Sequence, residues 1–279
     1  MRSERVRPDF LFIGPDKTGS TWLYEVLRQH PGCHVPAAKD LYFFDRYYGR
    51  GWDWYARQFR GAAQGALLGE LSHDYLFSPQ AAQRIAADLP QVKLLTILRD
   101  PVERTWSHYL YMLRNGRTRA SFEDALEQYP QLLGNSLYAR HLRPYFEQFR
   151  REQLGIFFFD ALQSAPREFA VDVLDFIGLR DPGTIDYARQ VHAASAARSR
   201  PLALLMKKAA WTVRGAGLPN VVGRVKRSRL AQQLYRPYAP GEKPVMNPAT
   251  RNALQARFAE ERVQLRRLLD ETGPAWLMQ

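Results

Sequence analysis

Apolar runs and helical periodicities alternate along the first two thirds of the chain. Short apolar runs at 10–13, 65–70, 93–99 and 154–160 have the length and composition of buried β-strands. The segments between them show the three- and four-residue apolar spacing of amphipathic helices. This alternation predicts an α/β fold with a central parallel sheet of about four to five strands and helices on both of its faces.

The expected helices follow the same apolar spacing, and most begin at a Ser, Asp or Pro signal. They are predicted at 20–30, 52–59, 79–89, 102–113, 121–128, 135–150, 166–177, 202–213 and 248–270. The βα alternation stops after residue 178. We expect one domain over 1–279, in which 187–241 is a basic, partly helical insert or acceptor-side segment.

The segment 10–30 predicts a strand, a tight loop and a helix in succession. A Gly-Pro pair at 14–15 breaks the apolar run, and Ser20 and Thr21 are placed to cap the following helix. A loop of this kind directs backbone N–H groups and the positive end of a helix dipole to one point. Because Lys17 adds a full charge, the segment predicts a P-loop-like site for a phosphate-type anion.

The spacing of this loop differs from that of nucleotide triphosphatases. Their motif reads G-x-x-x-x-G-K-[ST], with the lysine directly after the second glycine. Here the loop reads GPDKTGST, and Lys17 comes two residues before Gly19. A nucleotide-binding kinase is therefore a disfavoured alternative.

Other candidate residues follow later strands. Glu70 ends the second predicted strand, and ligands of open α/β sheets bind outside such strand ends. Arg99 ends the third strand and offers a planar fork for a phosphate, which the hydroxyl of Ser107, about two helical turns on, can share. His73 and His108 are competing candidates for a general base.

Three motifs resemble one enzyme family. The pattern G-P-x-K-[TS]-G-[ST]-T-x-L, which begins at residue 14, closely resembles the 5′-phosphosulfate loop of sulfotransferases that use 3′-phosphoadenosine-5′-phosphosulfate (PAPS). L-R-[DN]-P-x-x-R-x-x-S at 98–107 resembles their second signature. K-[DE]-x-x-F-F at 39–44 resembles the carbohydrate, heparan sulfate type members and their bacterial relatives. The resemblance covers about residues 9–272.

The resemblance implies a role for each matching residue. Glu70 is the expected general base, with His73 as the competing base or a substrate contact, and Lys17 and Lys39 are expected beside the transferred group. The arginine and serine of the second signature bind the 3′-phosphate in the family. The PAPS-binding residues that the resemblance implies are Gly14, Lys17, Thr18, Gly19, Ser20, Thr21, Trp22, Arg99, Ser107, Tyr138 and Lys243.

The implied reaction moves a sulfuryl group from PAPS to a hydroxyl or amine of a carbohydrate or small natural-product acceptor. The nucleotide product is adenosine 3′,5′-bisphosphate (PAP). No His, Cys, Asp or Glu cluster has metal-ligand spacing, so no metal is expected. The vertebrate heparan sulfate enzymes carry a cysteine-bridged hairpin near 187–241, which a chain with the single Cys33 cannot form. The acceptor therefore stays open, as does the choice between O- and N-sulfation.

Positive charge is concentrated in one segment. The net charge is +12, and 187–241 carries eleven Lys and Arg residues and no acidic residue, which leaves +1 for the rest. An anionic acceptor would explain this basicity. Binding of nucleic acid or an anionic membrane through 187–241 is the third function class. We expect no nucleic-acid partner, keep peripheral membrane contact open, and leave the oligomeric state open.

Composition sets the remaining expectations. Hydrophobic residues make up 46% of the chain without an 18-residue apolar run, which argues against a membrane-spanning protein. The first ten residues lack the apolar region of a secretory signal. One cysteine cannot form an internal disulfide. A cytoplasmic location is the resulting expectation.

Overall fold

The computed structural model describes residues 6–188, 195–197, 200–228, 235–237, 241–242, 244–270 and 273–278. The chain forms two compact units, one from 1–98 with 141–191 and the other from 99–140 with 192–279. Lys243, a predicted nucleotide contact, lies outside the described residues. The assignment of 1–279 to one functional domain stays a prediction.

The first unit is built on a parallel sheet of five strands. Their order is β2-β3-β1-β4-β5, and each neighbouring pair runs parallel. The strands are β1 (Phe10–Gly14), β2 (Cys33–His34), β3 (Leu67–Leu71), β4 (Lys93–Leu98) and β5 (Leu154–Phe158). The predicted α/β class is confirmed. Only β2 was not predicted, because two residues are too few to show a periodicity.

Helices connect the strands and make up most of the second unit. The described α-helices are α1 (Ser20–Gln29), α2 (Trp52–Ala56), α3 (Pro79–Asp88), α4 (Pro101–Arg114), α5 (Phe122–Gln128), α6 (Gln131–Gly134), α7 (Tyr138–Gln148), α8 (Phe159–Ser164), α9 (Pro166–Ile177), α10 (Arg200–Gly215), α11 (Pro219–Lys226), α12 (Pro248–Arg257), α13 (Ala259–Leu268) and α14 (Ala275–Met278). In the second unit, β6 (Ser195–Ala197) and β7 (Tyr235–Pro237) pair antiparallel.

One predicted helix differs in detail, and one segment without a predicted element forms an irregular turn. The single final helix predicted over 248–270 is wrong, since the chain forms two helices that meet at Phe258, where the backbone leaves helical geometry (φ −89°, ψ 3°). The aromatic segment after Lys39 contains one π-helical turn, Phe43–Tyr47, closed by a hydrogen bond from the Tyr47 N–H to the Tyr42 carbonyl (2.9 Å). Such five-residue turns leave no distinct apolar period.

Burial of the central strands explains why both sheet faces carry helices. Successive strand side chains point to opposite faces, yet every residue of β1 is buried. Phe10 and Phe12 pack in one cluster with apolar residues of α1 and α9, including Leu23 and Val173. Leu11 and Ile13 point the other way and are equally buried. A strand buried on both faces is the mark of a covered parallel sheet.

Local signals set several helix ends. Ser78 accepts a hydrogen bond from the Ala81 N–H (3.2 Å) at the start of α3. Asp100 accepts one from the Glu103 N–H (2.9 Å) at the start of α4. Gly178 ends α9 in the left-handed conformation (φ 93°), which favours glycine. The Asp-Pro pair after β4 thus starts α4 as its sequence indicates.

The second unit has its own apolar core. Side chains of α4, α5 and α12 form it, among them Trp106, Phe122 and Leu254. Glu261 of α13 is buried and accepts a hydrogen bond from the Ala139 N–H (2.6 Å) at the start of α7. Burial raises the pKa of Glu261 to about 7, and this bond opposes the rise.

Within the described segments, no helix is both long enough and apolar enough to cross a bilayer.

We predict that Gly69→Ala destabilises the protein by about 1–3 kcal/mol, the usual cost of overpacking a core. A Cβ on Gly69 would lie 1.9 Å from Cζ of the fully buried Phe10 on the neighbouring strand. Urea unfolding measures the loss. Gly49→Ala is the matched control, because no heavy atom lies within 4 Å of its added Cβ. Equal stability of the two variants would contradict the proposed packing of β3 against β1.

Candidate active site

The loop between β1 and α1 carries the first group of predicted residues. Gly19 is the N-cap of α1 and has a left-handed backbone (φ 90°). The predicted capping by Ser20 and Thr21 is wrong, since no side chain caps this helix. Their hydroxyls instead accept hydrogen bonds from the Lys39 ammonium, at 2.7 Å to Ser20 Oγ and 3.4 Å to Thr21 Oγ1. Lys39 is thereby held at the start of α1.

The loop is fixed to the sheet by close contacts. Gly14 has a φ of 134°, and a Cβ there would lie 2.2 Å from the backbone oxygen of His73, so only glycine fits. The Gly14 carbonyl accepts a hydrogen bond from Thr96 Oγ1 of β4 (2.6 Å). Thr18, which is fully buried, donates its hydroxyl to the Pro15 carbonyl (2.9 Å). Contacts within the chain therefore fix the conformation of the loop.

Lys17 and Trp22 are two further residues that were predicted to bind PAPS. Lys17 is half-buried and adopts a left-handed backbone (φ 69°) between Gly14 and Gly19. Trp22 lies in the core, where its ring meets Phe169 edge-on. Its indole N–H donates to the Tyr187 carbonyl (3.3 Å). The Trp22 side chain is thus part of the core, and a contact of Trp22 with PAPS stays a prediction.

Glu70 lies on the strand next to the loop's own strand. Leu11 pairs with Glu70 and Phe12 with Leu71, and the Ser72 N–H donates to the Phe12 carbonyl (3.0 Å). Parallel pairing brings the carboxyl ends of β1 and β3 to the same sheet edge. The loop and Glu70 therefore begin from neighbouring strand ends, as predicted.

The Glu70 carboxylate is fully buried and accepts hydrogen bonds from three hydroxyl groups. Tyr55 Oη donates to Oε2 at 2.6 Å. Tyr75 Oη lies 2.8 Å from Oε1 and 3.1 Å from Oε2. Ser72 Oγ donates to Oε1. All three donors are themselves fully buried, so the carboxylate is enclosed by neutral donors.

Backbone N–H groups of the aromatic segment orient two of these hydroxyls. The Phe43 N–H donates to Tyr75 Oη (2.8 Å), and the Tyr42 N–H donates to Ser72 Oγ (3.2 Å). A hydroxyl has one proton to give, and each oxygen already accepts from the backbone. The proton of each hydroxyl is therefore directed at Glu70. The turn after Lys39 in this way sets the environment of Glu70.

Burial raises the pKa of Glu70 from 4.5 to about 7. The hydrogen bonds from Ser72, Tyr55 and Tyr75 stabilise the charged form and oppose this rise. The nearby carboxyl group of Asp45 adds to the rise. A carboxylate with a pKa near neutral is suited to accept a proton during a reaction.

His73 is held between two carboxylates. Its Nδ1 lies 2.7 Å from Asp40 Oδ1, and its Nε2 lies 3.1 Å from Asp74 Oδ1. Burial lowers the pKa of His73, but the two carboxylates outweigh burial and raise the pKa to about 10. At neutral pH the ring is therefore an imidazolium with both nitrogens protonated. This state disfavours His73 as a base.

The second unit carries the residues predicted to bind the 3′-phosphate. Arg99 directly precedes the N-cap of α4, and its guanidinium lies 3.9 Å from the Glu103 carboxylate. Ser107 is half-buried on α4. Tyr138 is fully buried and donates its hydroxyl to the Arg99 carbonyl (2.9 Å), so its contact fixes the backbone of Arg99.

His108, the other candidate base, is tied to the core of the second unit. Its Nδ1 lies 3.0 Å from the guanidinium of the fully buried Arg104. Arg104 also donates to the Leu132 carbonyl (3.3 Å). His108 is thus buried against Arg104 on the same helix. This contact gives His108 a structural role, and no observation favours it as the base.

Several residues around Glu70 were not predicted from the sequence. No role was predicted for Tyr55, Ser72 or Tyr75. Asp40 and Asp74, which hold His73, were also missed. The E-x-S-x-x-Y spacing, with hydroxyls two and five residues after Glu70, is the one signal that could have identified two of these donors.

Metal ligands are not clustered in the described segments. No group of three or more His, Cys, Asp or Glu side chains there is placed to hold an ion. That the reaction needs no metal stays a prediction.

A parallel α/β sheet whose glycine-rich loop opens a helix is an architecture of nucleotide- and phosphate-binding proteins. Within that class, this chain belongs to the sulfotransferase domain family, whose family model matches residues 7–213. A crystal structure of a sulfotransferase from Alicyclobacillus acidocaldarius is similar, with a TM-score of 0.61 and 26% identity over 82% of this chain and 99% of that one. A mouse sulfotransferase crystallised with PAP shares the fold, with a TM-score of 0.51 and 15% identity over 92% of this chain and 85% of that one.

Curated relatives include heparan sulfate sulfotransferases. Heparan sulfate glucosamine 3-O-sulfotransferase 3A1 of Mus musculus is 32% identical over 62% of this chain and 46% of its own length. Bifunctional heparan sulfate N-deacetylase/N-sulfotransferase 3 of Homo sapiens is 28% identical over 98% of this chain and 31% of its own length. The chain thus spans less than half the length of these relatives.

We predict that Tyr55→Phe shifts the titration of Glu70 to higher pH, because the hydroxyl stabilises the charged carboxylate. The folded state keeps the Glu70 proton to about pH 7, while the unfolded chain loses it near 4.5. The contribution of Glu70 to the free energy of unfolding therefore falls as pH rises between these values. Urea unfolding from about pH 5 to about pH 8 measures this contribution. Glu70→Gln is the reference, because it lacks the titrating group.

Tyr145→Phe is the matched control for this experiment. Tyr145 is also fully buried, but its hydroxyl donates to the Tyr75 carbonyl (2.7 Å) rather than to Glu70. Its loss of stability should not vary across the Glu70 titration. Tyr55→Phe should lose about 1.5–3 kcal/mol above the titration, the range for hydrogen bonds to charged groups, and less below it. A loss that does not vary with pH in Tyr55→Phe would contradict the prediction.

Proposed function

We propose that this protein transfers a sulfuryl group from PAPS to a hydroxyl or amine of a carbohydrate acceptor. One observation carries the proposal: Glu70, a buried carboxyl with a pKa near neutral, lies near the end of β3, next to the strand that leads into the loop of Lys17, and Lys39 is held at the start of α1. A proton acceptor and two cations thus flank adjacent strand ends. Membership of the sulfotransferase domain family supports the donor.

The first unit's loop fits the 5′-phosphosulfate end of PAPS. The N-terminus of α1 and two ammonium groups favour an anion. Lys17 would lie beside the oxygen that bridges phosphate and sulfur, and Lys39, held on Ser20 and Thr21, beside the sulfuryl oxygens. In the second unit, Arg99 and Ser107 would hold the 3′-phosphate, with Tyr138 supporting the Arg99 backbone. PAPS supplies the activated sulfuryl group.

The proposed step is an in-line displacement at sulfur. The acceptor oxygen or nitrogen forms a bond to sulfur while the bond from sulfur to the 5′-phosphate oxygen breaks. The acceptor proton passes to Glu70, and Lys17 neutralises the charge that develops on the departing phosphate oxygen. In such a transition state the charge is dispersed and the protein forms no covalent bond to the substrate. Positioning of the reactants and placement of the cations therefore supply most of the rate acceleration, as in phosphoryl transfer.

The burial of Glu70 constrains how the proton reaches it. Glu70 and its donors Tyr55, Ser72 and Tyr75 have no exposed surface in this structure. The acceptor proton must therefore arrive through one of these hydroxyl groups, or after one of them moves aside. Either route makes the hydroxyls around Glu70 part of the catalytic unit. His73, held as a cation by Asp40 and Asp74, is assigned to acceptor positioning instead of proton removal.

A carbohydrate acceptor is favoured over a small natural product. The curated relatives named above act, by their names, on heparan sulfate, one at oxygen and one at nitrogen. Screening acceptor oligosaccharides with radiolabelled PAPS tests this class directly. Transfer to a small phenolic or alcohol acceptor with none to any saccharide would contradict the carbohydrate assignment while leaving sulfuryl transfer intact.

We predict that Glu70→Gln lowers kcat by about 10²–10⁴-fold, the usual worth of a general base. The amide keeps the size of the side chain but cannot take the proton, so PAP should still raise the melting temperature. Lys17→Ala should reduce both donor affinity and kcat, because this charge meets the donor before and during the reaction. Arg57→Ala, at an exposed arginine outside the basic segment, is the control and should change neither. Near-normal turnover of Glu70→Gln with loss of activity in His73→Ala would move the base to His73.

A separate prediction concerns the 3′-phosphate. PAP should raise the melting temperature more than ADP, because a ligand that binds only the folded state stabilises it by mass action. Arg99→Ala should reduce the PAP shift to the size of the ADP shift. Arg57→Ala, an exposed arginine that follows α2, should leave it unchanged. Equal shifts with PAP and ADP in the wild type would contradict the roles given to Arg99 and Ser107.

A further inference from the structure

Two consecutive helices of the second unit expose large apolar side chains. On α10, Leu204 is 42% and Leu205 63% exposed. Around α11, Leu218 is 55%, Val221 43% and Val225 46% exposed. Single exposed apolar residues are common, but a group of this kind on adjoining elements marks an interaction surface. We call α10, the turn at 216–218 and α11 the helical hairpin.

The exposed residues follow helical spacing within each helix. Leu204 and the exposed Lys208 are four residues apart on α10 and share one side of it. Leu218, Val221 and Val225 follow at intervals of three and four and share one side of α11. The exposed Arg224 adjoins Val221 and Val225. Each helix therefore presents apolar side chains together with a cation.

Another lysine of α10 belongs to the interior of the unit. Lys207 is half-buried, and its ammonium lies 5.2 Å from the ring centre of Tyr111. Burial, with smaller contributions from Arg117 and Lys226, lowers the pKa of Lys207 to about 8. Lys207 thus anchors α10, while Lys208 lies on its exposed side. The side chains that α10 exposes are therefore different from those that pack against the rest of the unit.

The charge of the segment indicates which partner fits this surface. The sequence 187–241, which contains the hairpin, has eleven basic residues and no acidic one. Apolar side chains beside Lys and Arg suit an anionic membrane interface, where the apolar groups enter the acyl boundary and the cations meet the headgroups. A polysaccharide would satisfy the cations but leave the leucines and valines in water.

We propose that the helical hairpin docks the protein on the surface of anionic lipid bilayers. Leu204, Leu205, Leu218, Val221 and Val225 enter the headgroup boundary, while Lys208 and Arg224 contact the lipid headgroups. The site lies outside the loop and the Glu70 environment, so docking is independent of the proposed sulfuryl transfer. It would hold the enzyme at a membrane surface.

Flotation of the full chain with vesicles tests the proposal. The protein should float with vesicles of phosphatidylcholine mixed with phosphatidylglycerol, stay behind with phosphatidylcholine alone, and be partly released by salt. Lys208→Glu with Arg224→Glu should lower binding roughly tenfold or more, since each basic residue is worth about a fivefold change near an anionic surface. Leu205→Ser with Val221→Ser should also lower it, with the salt dependence retained.

Matched controls come from other surfaces of the same unit. Val245→Ser changes an apolar side chain that is 89% exposed, and Arg257→Glu reverses an exposed charge on α12. Both should float as the wild type does. Retention of the PAP melting shift in every variant shows that the fold is intact. Glu70→Gln should lose turnover but float as the wild type does. This variant therefore tests membrane docking separately from sulfuryl transfer.

Three results would overturn the proposal. One is equal binding to neutral and anionic vesicles. Another is a loss of flotation in Val245→Ser or Arg257→Glu as large as in the hairpin variants. The third is no flotation at all, with light scattering showing a dimer that Leu205→Ser and Val221→Ser dissociate, which would assign the surface to a second copy of the chain.

Discussion

The buried carboxylate of Glu70 is the constraint on which the candidate active site depends. An ionised carboxylate without partners is costly in an apolar interior, so the surrounding chain must supply donors. Three hydroxyls do so, from two segments: Tyr55 from α2, and Ser72 and Tyr75 from the residues that follow β3. Two of these hydroxyls are in turn oriented by backbone N–H groups at 42 and 43. The conformation of the chain at 42–47, which contains the π-helical turn, is therefore coupled to the proton affinity of Glu70.

The adjacent residues Lys39 and Asp40 join the two halves of that site. Lys39 donates to Ser20 and Thr21 at the start of α1, and Asp40 lies against the ring of His73. The Asp40 N–H also donates to the Leu71 carbonyl at the end of β3 (2.7 Å). Neighbouring residues thus contact the anion loop on one side and the Glu70 strand on the other. A shift of this dipeptide would alter both the cation beside the loop and the charge of His73.

Sequence patterns predicted those features that depend on local order. The strands β1, β3, β4 and β5, the glycine loop and the strand-end position of Glu70 all follow from apolar periodicity and breakers within short windows. The clamp on His73 does not, because Asp40 and His73 are 33 residues apart in sequence and meet only in the folded chain. Tyr55 was hidden for another reason, since its ring stacks on Phe43 (4.3 Å) in an aromatic cluster that reads as core, while its hydroxyl reaches Glu70.

The contrast between Glu70 and His73 shows how one environment separates two titrating groups. Burial disfavours the charged form of both groups, so it raises the pKa of a carboxyl group and lowers the pKa of an imidazole. At Glu70 the close partners are neutral hydroxyls, so burial prevails and leaves a pKa of about 7. At His73 the partners are two carboxylates, which reverse the effect of burial and hold the ring charged. A lasting cation and a base that titrates near neutrality therefore arise three residues apart, and the difference lies in whether their partners carry charge.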